Sequence, residues 1–236
     1  MTQIIENIRN DLIKNSEESV KKNVQRFFKE KVLFYGVKSS TVSKIAGNYW
    51  KEIKVLNKPE IFLLCEELYQ SDYCEEAFIV SNWVPRITDR FEIEDFIIFT
   101  RWIENYINNW AKCDGFCNHS MGNFIEKFPF MLKEVLKWTG SKNRWVRRSA
   151  AVSLIIPAKH GKFLEESMLI ADALLIDTDD MVQKGYGWLL KEASRKHEEE
   201  IYKFVLERRK VMPRTSLRYA IELMPENMRK EAMKIQ

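Results

Sequence analysis

Apolar residues recur at three- and four-residue intervals from one end of this chain to the other, and the strict alternation of a half-buried strand is nearly absent. The spacing predicts helices over 2–14, 17–30, 39–55, 58–70, 74–86, 92–108, 110–117, 120–137, 143–156, 162–175, 179–195, 198–210, 214–223 and 226–235. Pro59, Pro129, Pro157, Pro213 and Pro225 fall at the proposed joints, where a fixed φ and a missing N–H start or stop a helix. Ser16, Ser39, Ser40, Asn143 and Asp177 carry the short side-chain oxygens that suit N-caps. The fold class is all-α. Helix pairs return every 35 to 43 residues or so, with Trp110, Trp145 and Trp188 spaced by 35 and 43. A hairpin of that size cannot bury its apolar face alone and must stack on its neighbours. The expected architecture is therefore a right-handed stack of HEAT-like helical hairpins, one domain over 1–236, curved into a solenoid with a concave basic face. An irregular helical bundle satisfies the periodicity almost as well.

One segment departs from the pattern. At about 100° per residue, Met181–Ser194 places Val182, Tyr186, Leu189, Leu190 and Ala193 on one arc. Lys184, Trp188 and Lys191 fall on the opposite arc. An indole between two ammonium groups forgoes the burial that normally accompanies tryptophan. Either a neighbouring helix covers it, or the face is built to touch something anionic and flat-sided such as nucleic acid.

Composition changes this picture in two places. The 236 residues are 45% apolar and 31% charged, a folded chain with a sizeable core, and the net charge of +4 says little by itself. Its distribution says more: Lys137, Lys142, Arg144, Arg147, Arg148, Lys159 and Lys162 occur in a stretch without one acidic residue. Acidic residues gather in Glu60–Glu76, Asp89–Asp95 and Asp177–Asp180, so a positive face is expected. The four cysteines lack a paired framework spacing and the charged N-terminus lacks an apolar leader, which together point to the cytoplasm. No apolar run reaches the roughly 20 residues of a membrane span. Cys113, Cys117 and His119 lack an evident fourth ligand, so no metal is expected.

Three clusters could carry chemistry. Trp110 and Asp114 stand at i and i+4, neighbours on a helix, where a ring and a carboxylate can together hold a cationic or developing-cation centre. A core tryptophan beside a solvated aspartate is the plainer alternative. Arg144, Arg147 and Arg148 share one side of the first two turns of their helix, an arrangement suited to phosphate or simply to solvent. The third cluster is Lys184, Trp188 and Lys191. No nucleophile–histidine set and no phosphate-binding glycine loop is present, so any catalysis proceeds without histidine acid–base work.

At these clusters the sequence resembles the AlkD-type DNA alkylation-repair glycosylases, a HEAT-like repeat family. The likeness begins at Phe27-Phe28-Lys29 and Leu33-Phe34-Tyr35-Gly36-Val37 and continues through Trp110-x-x-x-Asp114 and Asn143-x-Trp145-x-x-Arg148-x-Ala150-Ala151. It ends with Gln183-Lys184-x-x-Gly187-Trp188-x-Leu190-x-Glu192, and covers about residues 24 to 212. The resemblance implies that Trp110, Asp114 and Trp188 are the catalytic cleft residues and that Arg148 contacts the DNA backbone. Arg144, Arg147, Lys184, Lys191, Phe27 and Lys29 are the further DNA-binding candidates, with Phe27 standing where active members usually carry tyrosine. The implied activity is excision of positively charged N3- or N7-alkylated purines from double-stranded DNA in base excision repair. It needs no cofactor and is carried out by a monomer, cytoplasmic and nucleoid-associated when bound to DNA, with no membrane partner. The resemblance also admits a non-catalytic binder of branched or distorted DNA, and helical repeats as a class admit a protein-binding array.

Overall fold

The apolar stripes predicted from the periodicity face inward. In α1 (Thr2–Lys14), Ile5, Ile8 and Leu12 are fully buried, at the i, i+3, i+7 spacing of a single helical face. The computed structural model describes residues 2–234, so the last residue of the helix expected over 226–235 lies outside the described residues. Helices alone make up the regular structure, with no strand among the described residues. The chain divides into two compact units, Met1–Phe116 and Cys117–Gln236.

In the first unit α1 is followed by α2 (Glu18–Gln25), α3 (Ser39–Ile53), α4 (Lys58–Gln70), α5 (Cys74–Trp83), α6 (Asp95–Tyr106) and α7 (Trp110–Phe116). The central helix is α5, packed against α3, α4 and α7. Its residues Ile79, Val80 and Trp83 are completely buried. The Trp83 indole N–H donates to the Ala46 carbonyl at 2.9 Å, tying α5 to α3.

The second unit holds α8 (Gly122–Lys127), α9 (Leu132–Lys137), α10 (Arg144–Val152), α11 (Ile155–Lys159), α12 (Leu164–Ala173), α13 (Asp180–Ala193), α14 (Glu198–Arg208), α15 (Arg214–Ala220) and α16 (Glu226–Met233). Here α13 is central and touches α10, α11, α12, α14 and α15. Val182, Tyr186, Leu189 and Leu190 are fully buried, the arc read from the sequence.

Several expected helices stop early, for local reasons. The helix expected over 17–30 ends at Gln25. The Gln25 amide donates to Glu30 O at 2.8 Å and its oxygen accepts from Val32 N, closing a loop in which Phe28 turns inward. The helix expected over 120–137 is interrupted at Phe128-Pro129, where proline cannot continue the ladder. It begins instead with a π-helical turn, Cys117–Met121. The helix expected over 143–156 breaks after Val152, where Ser153 Oγ bonds back to Ser149 O at 2.7 Å. Pro157 then sits in the first turn of α11, where its missing N–H costs nothing, and not at a joint.

Of the expected caps, Asn143 accepts from Trp145 N at 2.9 Å. Asp177 does not cap: Asp179 does, accepting from Met181 N and Val182 N. Ser39 and Ser40 are first-turn residues of α3, whose N-cap position is Lys38, and Ser16 lies before the N-cap position Glu17 of α2.

Side-chain bonds between successive helices keep a nearly constant sequence separation in both units. Lys58 meets Glu92 34 residues away, Arg101 meets Glu66 at 35, and Asn108 meets Asp72 at 36. In the second unit Arg144 meets Asp179 at 35, while Lys162 meets Glu126 and Arg208 meets Asp172 at 36. A recurrent offset of this kind is the mark of repeated helical hairpins, each presenting the same edge to the next.

Candidate active site

In the first unit the candidate residues sit on α7, which starts where the sequence loses helical phase, at Asn108-Asn109. Asn109 is fully buried and its side-chain oxygen accepts from Lys112 N at 3.0 Å, capping the helix. One turn separates Trp110 from Asp114, and both are half-buried. The Trp110 indole stacks on Phe28 with centroids 5.0 Å apart and planes inclined by 15°. Its N–H donates to the Phe27 carbonyl at 3.2 Å. Phe28 in turn packs on Phe34 at 5.3 Å. The ring is thus fixed in plane and in edge direction. Gly115 lets α7 approach α5, since a Cβ there would come within 3.0 Å of Ser81 Oγ. Phe27 projects its ring to solvent at 73% exposure, and Lys29 is exposed near it in the chain.

In the second unit, α13 carries Trp188 between Lys184 and Lys191. All three side chains are half-buried, so the face is neither fully wet nor covered. The buried carboxylate of Glu192, one turn on from Trp188, accepts from Arg195 Nε at 2.6 Å. Burial pushes the Glu192 pKa up. The hydrogen bonds from Arg195 and Trp188, with the charges of Arg195 and Lys191, outweigh it and hold the carboxyl below its usual 4.5. A depressed folded pKa means that the carboxylate's contribution to stability is complete above about pH 4.5 and is lost as pH falls through the folded value. Replacing Glu192 by Ala is therefore expected to cost about 1–2 kcal/mol at pH 7, with the difference from wild type shrinking below pH 4.5. Urea titrations at the two pH values measure this, and a pH-independent difference would rule out the ionised anchor.

Two glycines explain how α13 is held. A Cβ at Gly185 would lie 3.3 Å from Arg148 Cγ, and one at Gly187 would lie 2.8 Å from Tyr219 Cβ and 2.9 Å from Ser216 O. The helix is bare on these sides so that α10 and α15 can lie against it.

The expected basic face is corrected at α10. The acidic run Asp177–Asp180 is not segregated from the arginines but folds onto them. Arg144 pairs with Asp179 at 3.0 Å and stacks over Trp145, and Arg147 pairs with Asp177 at 2.6 Å. Arg148 is only 5% exposed and donates to the Met181 carbonyl at the start of α13. Lys184 pairs with Asp180 at 3.4 Å, and Lys191 with Glu222 at 2.7 Å. Arg144, Arg147 and Lys191 are matched because oppositely charged residues stand about one hairpin further along, whereas Lys184 is matched within its own helix and Arg148 by a main-chain carbonyl. The ~35-residue offset between Arg144 and Asp179 was the signal in the sequence that would have found the pairing.

The structure brings Trp110 and Asp114 together on one turn of α7, and gathers Trp188, Lys184, Lys191 and Glu192 on α13. Sequence reasoning passed over Glu192, Lys112 and the buried Glu75 as contributors to these surfaces. Among the described residues no grouping of three or more His, Cys, Asp or Glu side chains could hold a metal, and all four cysteines are free and buried. No described helix is long and apolar enough to cross a membrane.

The sequence matches the family described as DNA alkylation repair enzyme over residues 8–224. The chain belongs to this family. Its fold is shared with a solved structure described as a predicted DNA alkylation repair enzyme from Enterococcus faecalis, with a TM-score of 0.80 and 16% sequence identity. That likeness covers 90% of this chain and 98% of the other. No curated protein matches the sequence. Family membership gives the chain a role in the repair of alkylated DNA, as the resemblance of its motifs implied, and makes DNA its expected partner.

Proposed function

We propose that this chain is a DNA glycosylase that excises positively charged N3- and N7-alkylated purines from double-stranded DNA, residues 1–236 acting as one HEAT-like repeat domain and as a monomer. The observation that carries the reading is the Trp110–Asp114 pair: a carboxylate one turn from an indole whose plane and edge are both fixed. A cationic base departs as a neutral molecule and needs no general acid. What the protein must supply is a negative charge near the deoxyribose as it becomes an oxocarbenium ion, and rigid surfaces that hold the sugar there. In this reading Asp114 is the negative charge and Trp110 packs against the sugar, with Trp188 on α13 the further catalytic candidate.

Incubating the protein with methylated duplex DNA and assaying free 7-methylguanine and 3-methyladenine tests the reading. Release of both bases supports it. Tight binding without release would assign the chain to non-catalytic recognition of distorted DNA, and the absence of DNA affinity would favour a protein-binding array.

DNA contact in the second unit follows a different rule from that of a free basic patch. Arg144 and Arg147 reach a phosphate only by exchanging Asp179 and Asp177 for it. The double variant Asp177→Asn/Asp179→Asn keeps the N-cap acceptor of α13 and removes both charges. It is expected to bind duplex DNA more tightly, with a salt dependence steeper by about two phosphates' worth. An unchanged slope in filter binding would remove Arg144 and Arg147 from the interface.

A further inference from the structure

Lys112 lies between Trp110 and Asp114 in sequence and points away from both, into the first unit. It is 1% exposed and among the largest fully buried side chains of the protein. Its ammonium donates to the main-chain carbonyl of Asp72 at 2.9 Å and to the carboxylate of the same residue. Asp72 holds a left-handed backbone, φ 64°, in the turn between α4 and α5. Asn108 donates to the same carboxylate at 2.7 Å. Asn109 caps α7 and donates to Asn108 Oδ1 at 3.1 Å and to Cys74 Sγ at 3.4 Å. The first turn of α7 is thereby bolted to the 71–74 turn by a connected set of polar side chains.

The Lys112 ammonium is buried although its carboxylate partner is half exposed, and desolvating a buried ammonium offsets most of the attraction, so the pair is a poor way to gain stability. What the pair supplies is direction. A hydrophobic contact tolerates sliding, whereas an ammonium held by two acceptors on one residue fixes both the rotation of α7 and its position along its axis.

We propose that Lys112 is a positioning residue, which locks the register of α7 so that the Trp110 ring and the Asp114 carboxylate meet the deoxyribose at a fixed place. The inference rests on the glycosylase reading above. Lys112→Met keeps the unbranched stem and removes the charge. It is expected to lower kcat for 7-methylguanine release by about ten- to a hundredfold, the scale of an ångström-level misplacement, with KM and duplex affinity within about threefold. Asp72→Asn keeps the main-chain acceptor and a residue tolerant of the left-handed conformation, and is expected to lower kcat severalfold with KM unchanged. It carries the test if Lys112→Met does not fold. A merely structural lysine would lower the unfolding temperature and leave kcat untouched well below it; that result for either folded variant overturns the inference alone. A wild-type protein that releases no base removes the glycosylase reading, and this inference with it.

Discussion

Asp114→Asn is expected to slow the release of 7-methylguanine from methylated duplex DNA about a thousandfold while duplex affinity stays within severalfold. The magnitude follows from charge and distance. A unit negative charge about 4 Å from a developing cation, at an effective dielectric near 20, lowers the barrier by around 4 kcal/mol. That corresponds to roughly three decades in rate. Asparagine keeps the shape and half-buried position of the side chain and removes only the charge, so binding, which depends on the surrounding surface, is largely preserved. Single-turnover release, measured beside equilibrium binding of the same duplex, separates the two. An undiminished rate would take Asp114 out of the chemistry, and an equal loss of affinity would make it a binding residue.

The second large effect is on stability and lies at Glu75, in the first turn of α5. Its carboxylate is 2% exposed and accepts three consecutive backbone N–H groups, from Tyr35 at 3.1 Å, Gly36 at 2.9 Å and Val37 at 3.0 Å. The loop can wrap so closely because Gly36 adopts φ 95° and leaves no Cβ to meet Glu17 O. Glu75→Ala strands these donors in the interior, at about 1–3 kcal/mol for each one that water does not reach. A total loss of about 3–5 kcal/mol is expected, a large share of what a domain has in all. Thermal unfolding followed by circular dichroism should show a midpoint lower by about 6–20 °C. A loss below about 1 kcal/mol would mean that the loop is held by something else. The consequence reaches the candidate site, because this loop carries Phe34, which packs on Phe28, on which Trp110 stacks.

How far the candidate site can be read from the sequence depends on how local each part is. The Trp110–Asp114 pair needs only the i, i+4 rule, and the buried arc of α13 needs only a period of 3.6 residues. Trp188 stood out for the same reason, since its position opposite that arc is a local fact. The anchors of these residues are not local. Lys112 reaches back 40 residues to Asp72, Glu75 reaches back 38 to 40 residues to a loop, and the arginines of α10 reach forward 30 to 35 residues to an acidic turn. Glu192 is the exception: it closes the motif that holds Trp188 and stands at i+4 from it, but its burial is a tertiary fact.

By itself the sequence determined an all-helical chain, its hairpin period, the residues of its core stripes and the pairing of an indole with a carboxylate. Backbone periodicity and side-chain size encode these within a few turns. Which charges remain available to a partner was decided by tertiary structure, because the answer depends on what lies one hairpin away. There the acidic Asp177–Asp180 turn neutralises two arginines of the basic helix, and the Met181 carbonyl at its edge takes up the third. The same long-range contacts placed Lys112 and Glu75 in the interior, where a composition count would have left them in water.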